Sequence, residues 1–474
     1  MRPAHARGPA VAAAVLTGGL ALASVTAGSA TASATAAPGV SSQAATGAGF
    51  PTPIQHVVII YQENHSFDNV LGRFCVQTKR CDGTTTARLH TGATMTMAQA
   101  PDIVPNVLHD TKSQVTAVDG GKMDGFDRIA GCTATANYGC LTQYDPTQIP
   151  NLAGLATSFA VSDRTFTLNL VPSWGGHLEL ATTQLDGFTG DNPVYRSAAG
   201  TPPQGNGWGC DSNKDTPWRS SAAASLIWVP SCVPKPDGTG PYRASPVPWV
   251  PTIMDRLSAA GRSWRLYGAP AGIGAANTGY GWDICPTFAD CLYTKQAANV
   301  VQSGQILTDA QNGRLPNFAA VMPDDRVTSS SQHNNQSMGS GDNWIGSVVS
   351  AIEKSSDWNS TAIFITYDDC GCFYDHVPPA PGLGIRVPMV IVGPYVKAGY
   401  TDSSVASYAS MLAFAEHTLG VAPLGSRDKN AYDYMNAFDF SQQPRLGLPL
   451  ANHRIPQQSR TYLQTHPADT NDPT

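Results

Sequence analysis

The chain has 474 residues, of which 14% are charged, and its formal net charge is −6. This length can hold one large domain with insertions or two smaller domains. The acidic balance and the lack of a long Lys/Arg run argue against nucleic acid as a partner, and the 45 glycines and 36 prolines argue against a helical bundle.

The N-terminal residues predict export. Two arginines precede an apolar run of small residues at 10–27, and Ala-x-Ala patterns follow it. This order of features is typical of a secretory signal peptide, which we place at 1–37, before a flexible leader at 38–50. Since no later segment approaches about 20 consecutive apolar residues, we expect a secreted protein without a stable membrane anchor.

Ten cysteines occur in close pairs, which in an exported protein indicates local disulfides more than metal ligands. The pairs are Cys75 and Cys81, Cys132 and Cys140, Cys210 and Cys232, Cys285 and Cys291, and Cys370 and Cys372. Spacing alone leaves the connectivity open. A disulfide in the last pair would close a very small, strained ring, so two free thiols are the alternative there.

Short runs rich in branched apolar residues predict buried strands. They occur at 57–60, 362–367 and 387–392, the last with a proline near its start. Runs of this kind suit a parallel sheet that is covered on both faces.

Apolar residues at helical spacing lie between and after these strands. They predict helices over 345–352 and 411–419, and Gly420 is a suitable stop for the second. Strands that alternate with helices predict an α/β sandwich with a mostly parallel sheet. Residues 190–250 are rich in Pro, Gly, Trp and Ser and predict a loop-rich insertion over one face of the sheet.

Two polar clusters follow predicted strands at the point where each strand ends. Glu63 and Asn64 follow the first strand, and Asp368 and Asp369 follow the second. Sites in open α/β sheets form at the carboxyl ends of strands, and such oxygen ligands suit a divalent cation. Each cluster alone could instead be a helix cap, as with Glu63 and Asp68, or a polar turn.

Ser173 is the candidate nucleophile. It follows a proline and precedes a helix that we expect to begin near Trp174. Free backbone N–H groups at a helix start can hold a phosphate group and activate a hydroxyl. The alternative is that Ser173 is only an N-cap. His177, in the same predicted helix, would orient the site or simply pack.

Three further histidines and one lysine are candidates for contact with phosphate. His109, His333 and His376 each stand beside polar residues, and such histidines bind metals or phosphate or protonate a leaving oxygen. Lys122 lies in a glycine turn and could contact phosphate. Taken singly, each of these side chains is more often structural or solvated.

In this order, the segments resemble the bacterial phosphoesterase family, which contains phospholipases C and a group of acid phosphatases. The opening signature of the family, a hydrophobic strand and Gln-Glu-Asn-x-Ser-Phe-Asp, is similar to residues 57–68. Its Gly-Lys-Met-Asp turn matches 121–124, its Pro-Ser nucleophile falls on Ser173, and its late signature resembles 358–379. The resemblance covers about residues 54–440.

The resemblance implies an alkaline-phosphatase-like fold, a three-layer α/β/α sandwich whose catalytic domain would span 51–445, with a C-terminal tail at 446–474. It also implies a role for each candidate residue. Glu63, Asn64, Asp368 and Asp369 would surround the metal, Ser173 would be the nucleophile, His109 and His333 would contact phosphate or transfer protons, and Asn64, His177, His376 and Lys122 would support the substrate. Asp369 stands where the family often has Glu. The ion would be Ca, Mg or Mn, or Zn or Fe if histidine takes part.

The function we expect is that of a secreted, metal-dependent phosphoric ester hydrolase with a phosphoseryl intermediate, in which backbone N–H groups after Ser173 stabilise the phosphoryl oxygens. About 34 residues follow Phe440, too few for the C-terminal β-rich portion of many phospholipases C, so we expect an acid-phosphatase-like phosphomonoesterase acting on small phosphate esters. The alternative is a phospholipase C that recognises a phospholipid headgroup, with the Trp-rich insertion as an apolar rim. A third possibility, suggested by the unusual Cys370-Gly371-Cys372 loop, is a ligand-binding member without catalysis. The sequence does not indicate an oligomeric state.

Overall fold

The computed structural model describes residues 52–196, 207–268, 283–324 and 329–466. The predicted signal peptide at 1–37 and leader at 38–50 lie outside these residues, as does the end of the tail.

The strands form one large sheet and several two-stranded sheets. They are β1 (His56–Gln62), β2 (Thr86–Arg88), β3 (Thr94–Thr96), β4 (Ala98–Gln99), β5 (Thr142–Gln143), β6 (Ala160–Ser162), β7 (Thr165–Phe166), β8 (Asp215–Trp218), β9 (Ile227–Pro230), β10 (Trp264–Tyr267), β11 (Val300–Val301), β12 (Phe318–Val321), β13 (Thr361–Tyr367), β14 (Met389–Val392), β15 (Thr401–Asp402) and β16 (Ala406–Ser407). The order in the large sheet is β11-β10-β12-β1-β13-β14-β6-β15. Its pairs are parallel except that β14 is antiparallel to both of its neighbours.

The helices complete the layers of the sandwich. They are α1 (Arg73–Thr78), α2 (Thr111–Val118), α3 (Pro150–Ser158), α4 (Ser173–Thr182), α5 (Ile253–Ala259), α6 (Ala289–Leu292), α7 (Gln305–Gln311), α8 (Met338–Glu353), α9 (Tyr408–Leu419), α10 (Ser426–Lys429) and α11 (Gln457–Thr465). Helix α8 contacts α3 and α7, and α4 contacts α5 and α9, and helices lie on both sides of the sheet. The predicted α/β fold with a mostly parallel sheet is confirmed.

The predicted strands and helices correspond to the centre of this fold. Strands β1 and β13 are buried almost throughout, as expected for residues with helices on both faces. Helix α8 contains the predicted helix at 345–352, and α9 ends where Gly420 adopts a left-handed φ of 66°. Strand β14 begins at Met389, two residues later than predicted, after a proline that has no N–H for a ladder bond.

The cysteine pairs behave in two ways. Disulfides join Cys75 to Cys81, Cys132 to Cys140, Cys210 to Cys232, and Cys285 to Cys291, as predicted. Cys370 and Cys372 are buried free thiols with their sulfur atoms 4.0 Å apart. The alternative considered for this last pair is therefore the one found.

The insertion at 190–250 is more ordered than its composition predicts. Strands β8 and β9 form an antiparallel hairpin within it. Trp208 and Trp218 are buried, whereas Trp228 and Trp249 are exposed. Within the described residues, no helix combines the length and the apolar character that crossing a bilayer requires.

Candidate active site

Two neighbouring strands bring the predicted metal ligands together. Strands β1 and β13 are parallel, and their last residues, Gln62 and Tyr367, lie opposite each other. Consequently Glu63 and Asn64 leave the sheet beside Asp368, whose Oδ1 accepts a hydrogen bond from the Asn64 backbone N–H at 2.9 Å. All of these side chains are buried. Glu63 faces this cluster and does not cap a helix.

Ser173 points into the same cluster. Its Oγ lies 3.2 Å from the side-chain oxygen of Asn64 and 3.3 Å from Oδ2 of Asp369. The other oxygen of Asp369 accepts the N–H of Gly371 at 2.6 Å, which holds the carboxylate in place. The N-cap of α4 is Pro172, with no side-chain hydrogen bond, so Ser173 is the first helical residue and not a cap. Its hydroxyl is therefore directed at the acidic cluster.

A glycine lets the helix that carries Ser173 approach the sheet closely. A Cβ at Gly176 would lie 2.2 Å from the carbonyl oxygen of Asp368, closer than any real contact. Two tyrosines hold the same contact region. The Tyr61 hydroxyl donates to the carbonyl of Gly176 at 2.9 Å, and the Tyr408 hydroxyl lies 2.7 Å from that of Asp368.

His177, which we expected to support the substrate, lies beside the acidic groups of the predicted metal site. Its Nε2 is 3.2 Å from Oε1 of Glu63 and 3.9 Å from Oδ2 of Asp368, and these three side chains offer atoms within 4.8 Å of one another for a metal ion. Burial lowers the pKa of His177 to about 4, although Asp368 opposes the shift. The imidazole is therefore neutral near pH 7 and available as a ligand.

Burial also changes the acidic side of the site. It raises the pKa of Asp369 well above its ordinary value, and the negative charge of Asp368 acts in the same direction. Carboxylates held together without water repel one another, and a cation among them removes that penalty.

The orientation of the Asn64 amide tests whether these residues suit a cation. Nδ1 of His109 lies 2.7 Å from the carbonyl of Val107, and Nδ1 of His333 lies 2.9 Å from that of Asn334. A carbonyl only accepts, so each Nδ1 carries the proton, and in a neutral ring Nε2 is then an acceptor. Both Nε2 atoms face the same end of the Asn64 amide, at 3.0 and 2.9 Å.

With neutral histidines the amide nitrogen of Asn64 must face them, and its oxygen then faces acids. The amide oxygen of Asn64 then lies 2.9 and 3.1 Å from the two carboxylate oxygens of Asp368 and 3.2 Å from Oε2 of Glu63. Oxygen against carboxylate oxygen is repulsive unless a cation lies between them, and the reversed amide requires two protonated histidines. The donor set of Glu63, Asn64 and Asp368 therefore fits a divalent cation.

Two predicted substrate contacts are elsewhere. His376 interacts with Asp68 and lies 3.1 Å from Asp82, in an ion-pair network separate from Ser173. Lys122 lies 2.7 Å from a carboxylate oxygen of Asp119, and 65% of its side chain is exposed. His376 is close in sequence to Asp368 and Asp369, but its side chain belongs to a structural ion-pair network. Lys122 is a solvated turn residue.

One important contact could not be found from sequence. The backbone N–H of Trp174, which we expected to be free for phosphate, donates to Oδ1 of Asn192 at 2.8 Å. Asn192 belongs to the insertion, where no motif or periodicity indicates which helix it will meet. The expectation that the N–H groups after Ser173 are free is therefore wrong for Trp174.

A buried hydroxyl beside a set of donors that fits a divalent cation is an arrangement that suits chemistry on phosphoric esters. The chain belongs to the Phosphoesterase family, whose model matches residues 54–422. It is similar to phospholipase C B of Mycobacterium tuberculosis (strain H37Rv), with 25% identity over 85% of this chain and 81% of the relative. It is also similar to non-specific phospholipase C4 of Arabidopsis thaliana, with 23% identity over 75% and 65%, and to non-hemolytic phospholipase C of Burkholderia pseudomallei, with 28% identity over 35% and 31%. The chain thus spans less than two thirds of the Arabidopsis and Burkholderia relatives.

Solved structures also resemble the chain. A protein in the alkaline phosphatase superfamily from Vibrio parahaemolyticus has 14% identity and a TM-score of 0.35, covering 82% of this chain and 72% of that one. The phosphonate monoester hydrolase of Agrobacterium radiobacter has 12% identity and a TM-score of 0.35, covering 78% and 74%.

Metal removal should inactivate the enzyme. Incubation with EDTA followed by desalting is expected to lower the rate of phosphoester hydrolysis by about 100-fold or more. A bound cation would offset the negative charge of the buried carboxylates and the charge that develops on the substrate. Adding back single metals would identify the ion. The control is EDTA that was saturated with the same metal beforehand. Full activity in a sample shown by elemental analysis to be metal-free would contradict the assignment.

Proposed function

We propose that this protein is a metal-dependent phospholipase C that cleaves the phosphodiester bond between glycerol and phosphate, with Ser173 as nucleophile. The observation that carries the proposal is the buried Ser173 hydroxyl at a helix start, within hydrogen-bonding distance of Asp369 and of Asn64. The choice of phospholipid over a small monoester is supported by the relatives, which are phospholipases C.

In the first half-reaction, Ser173 Oγ forms a bond to phosphorus and the bond from phosphorus to the glycerol oxygen breaks. The Oγ proton passes to Asp369, whose Oδ2 is 3.3 Å away. The departing oxygen takes up a proton that arrives from solvent through the His109 and His333 pair, and it leaves as the hydroxyl of diacylglycerol. A divalent cation held by Glu63, Asn64 and Asp368 would supply positive charge beside these oxygens.

In the second half-reaction, water replaces the serine. The water oxygen forms a bond to phosphorus, the bond from phosphorus to Ser173 Oγ breaks, and Asp369 returns its proton to Oγ. The proton lost by the water leaves to solvent through the same histidine pair, so the site returns to its starting state.

A substrate comparison tests this proposal. The metal-loaded protein should hydrolyse p-nitrophenyl phosphorylcholine and release phosphocholine and diacylglycerol from phosphatidylcholine. Turnover of p-nitrophenyl phosphate should be at least about tenfold lower, because a diester substrate contributes contacts on both sides of the phosphorus.

Three outcomes of that comparison differ in meaning. Preference for p-nitrophenyl phosphate would replace the proposal by the phosphomonoesterase expected from the sequence. Inactivity on all three substrates with metal bound would favour the ligand-binding alternative. Hydrolysis that persists at the unmodified rate in a Ser173→Ala variant would show that Ser173 is not the nucleophile.

We also propose that the protein is secreted. The disulfides support this, since such bonds persist in oxidising compartments. Intact-mass measurement of protein from the culture medium should show that residues 1–37 are absent, and full-length protein found only inside cells would contradict export.

A further inference from the structure

The hairpin of the insertion presents an exposed apolar segment. We call residues 219–228 the hairpin tip. They comprise the loop after β8 and the first two residues of β9, and nearly all of them are exposed. Leu226, Ile227 and Trp228 are consecutive and are 52, 48 and 44% exposed. Contiguous apolar residues at a surface commonly mark a site of interaction.

This exposure is not the ordinary pattern of a half-buried strand. Alternate residues of a strand face opposite sides, so one of each neighbouring pair is normally covered. Further along β9, Val229 is buried, and Trp218, which pairs with Ile227, is buried as well. At the tip, by contrast, both faces are open. The apolar side chains there contribute little to the core of this protein.

The hairpin tip itself carries no negative charge, and Asp215 at the base of the hairpin is ion-paired with Arg243 at 2.7 Å. The chain contains 35 acidic residues, but the tip contains none, and its charged residue is Arg219. The guanidinium of the exposed Arg196 lies 4.4 Å from the centre of the Trp228 ring. Aromatic rings beside cations are the side chains that occupy the boundary between lipid headgroups and acyl chains.

The hairpin is joined firmly to the helix that carries the nucleophile. The N–H of Arg219 donates to the carbonyl of Gly187 at 2.9 Å, and the N–H of Thr189 donates to that of Pro217 at 3.0 Å. A few residues further on, Asn192 binds the N–H of Trp174 next to the nucleophile. Backbone hydrogen bonds therefore link the hairpin to the segment that follows α4, and that segment contacts the first turn of α4.

We propose that the hairpin tip docks onto the surface of a phospholipid layer. Leu226, Ile227 and Trp228 enter the boundary between headgroups and acyl chains, while Arg196 and Arg219 contact lipid phosphates. The absence of carboxylates from the tip fits a partner whose surface presents phosphate oxygens. This inference rests on the proposed phospholipase C activity for its purpose, but docking can be measured without turnover.

Vesicle sedimentation provides the test. Secreted protein from the culture medium is mixed with sucrose-loaded vesicles of dioleoylphosphatidylcholine. It carries Ser173→Ala so that the lipid stays intact. Adding Leu226→Ser and Trp228→Thr should lower the partition coefficient roughly tenfold or more, because interfacial binding scales with the apolar area that is buried. The matched control is Leu446→Ser, at a leucine that is 89% exposed and lies outside the hairpin; it should leave the partition coefficient unchanged.

A soluble substrate separates docking from catalysis. With Ser173 intact, the Leu226→Ser and Trp228→Thr variant should hydrolyse p-nitrophenyl phosphorylcholine within about twofold of the unmodified rate, since the site itself is unaltered. A tip variant that sediments like the parent, or a parent that does not bind vesicles, would overturn the inference. So would sedimentation velocity showing that the tip mediates self-association. Vesicle binding through the tip without hydrolysis of phosphatidylcholine would leave docking supported and refute the proposed substrate.

Discussion

Substitution of Ser173 by Ala is expected to lower kcat/KM by about 1,000-fold or more while the fold is retained. The hydroxyl is the group that would form the covalent bond to phosphorus, and its Oγ faces Asn64 and Asp369. Removal of a nucleophile from a preorganised site typically costs several orders of magnitude and leaves only residual catalysis from the remaining groups. Initial rates on p-nitrophenyl phosphorylcholine, together with thermal unfolding of both proteins, give the comparison.

Ser303→Ala is a matched control for this variant. The Ser303 hydroxyl is also buried and donates one hydrogen bond, to the carbonyl of Met322 at 2.6 Å. Its loss should cost stability but little activity, with an effect of about 1 kcal/mol on unfolding. If Ser173→Ala hydrolysed the substrate at the rate of Ser303→Ala, the nucleophile would lie elsewhere. Rapid acid quench of the unmodified protein during hydrolysis of p-nitrophenyl phosphorylcholine, followed by peptide mass analysis, should find phosphocholine on Ser173.

The second large effect concerns stability. Arg386 is fully buried, and it pairs with Asp68 through Nη2 and with Asp375 through Nε, each at 3.2 Å. The side chains of Asp68, Asp375 and His376 could also be taken for a metal site, but the guanidinium already neutralises these acids. Arg386→Met leaves buried Asp375 without its guanidinium and Asp68 with His376 alone as an ionic partner, and it is expected to lower the free energy of unfolding by about 3–5 kcal/mol.

The pH dependence of this loss provides a further check. Burial raises the pKa of Asp375 to about 6, and Arg386 opposes that shift. The folded state therefore binds the Asp375 proton more tightly than the unfolded state does, and this contribution to stability falls as the pH rises from about 4 to about 6. Without Arg386 the pKa rises further, so the deficit of the variant should be smaller near pH 5 than near pH 8.

Urea unfolding measured at both pH values tests these expectations. Arg80→Met is the control, because the Arg80 guanidinium donates to backbone carbonyls, of Ala156, Thr157 and Tyr400, and not to a carboxylate. Its removal should cost only about 1–2 kcal/mol, with little change between the two pH values. An Arg386→Met protein that unfolds at the urea concentration of the unmodified protein would show that the ion pairs contribute nothing net.

Sequence patterns predicted the parts of the site that depend on the sheet. Glu63 and Asp368 each follow a continuous apolar run, and such runs form buried strands. Because the two strands are parallel neighbours in the sheet, their carboxyl ends bring Glu63 and Asp368 together. The Ser173 motif placed a hydroxyl at a helix start, which the structure contains. The two-residue strands β11 and β15 were not predicted, because two residues show no periodicity.

Other contacts depend on the course of loops and could not be predicted. Asn192 reaches Trp174 from the insertion, and Arg386 meets Asp68 from a segment more than 300 residues away in sequence. The hairpin itself was hidden because its strands contain Pro217 and Pro230, residues that argue against a strand in a local pattern. Which residues Asn192 and Arg386 contact depends on how distant segments pack, and the sequence around each residue does not indicate it.

The missing Cβ at Gly176 has a consequence for redesign of this enzyme. Helix and strand touch there through backbone alone, so no intervening side chain can be trimmed or enlarged to adjust the spacing between them. The distance between the Ser173 hydroxyl and the carboxylate at position 369 must then be adjusted through the length of the side chain at position 369. Asp369→Glu would add one methylene and extend the reach of the carboxylate while the scaffold stays fixed.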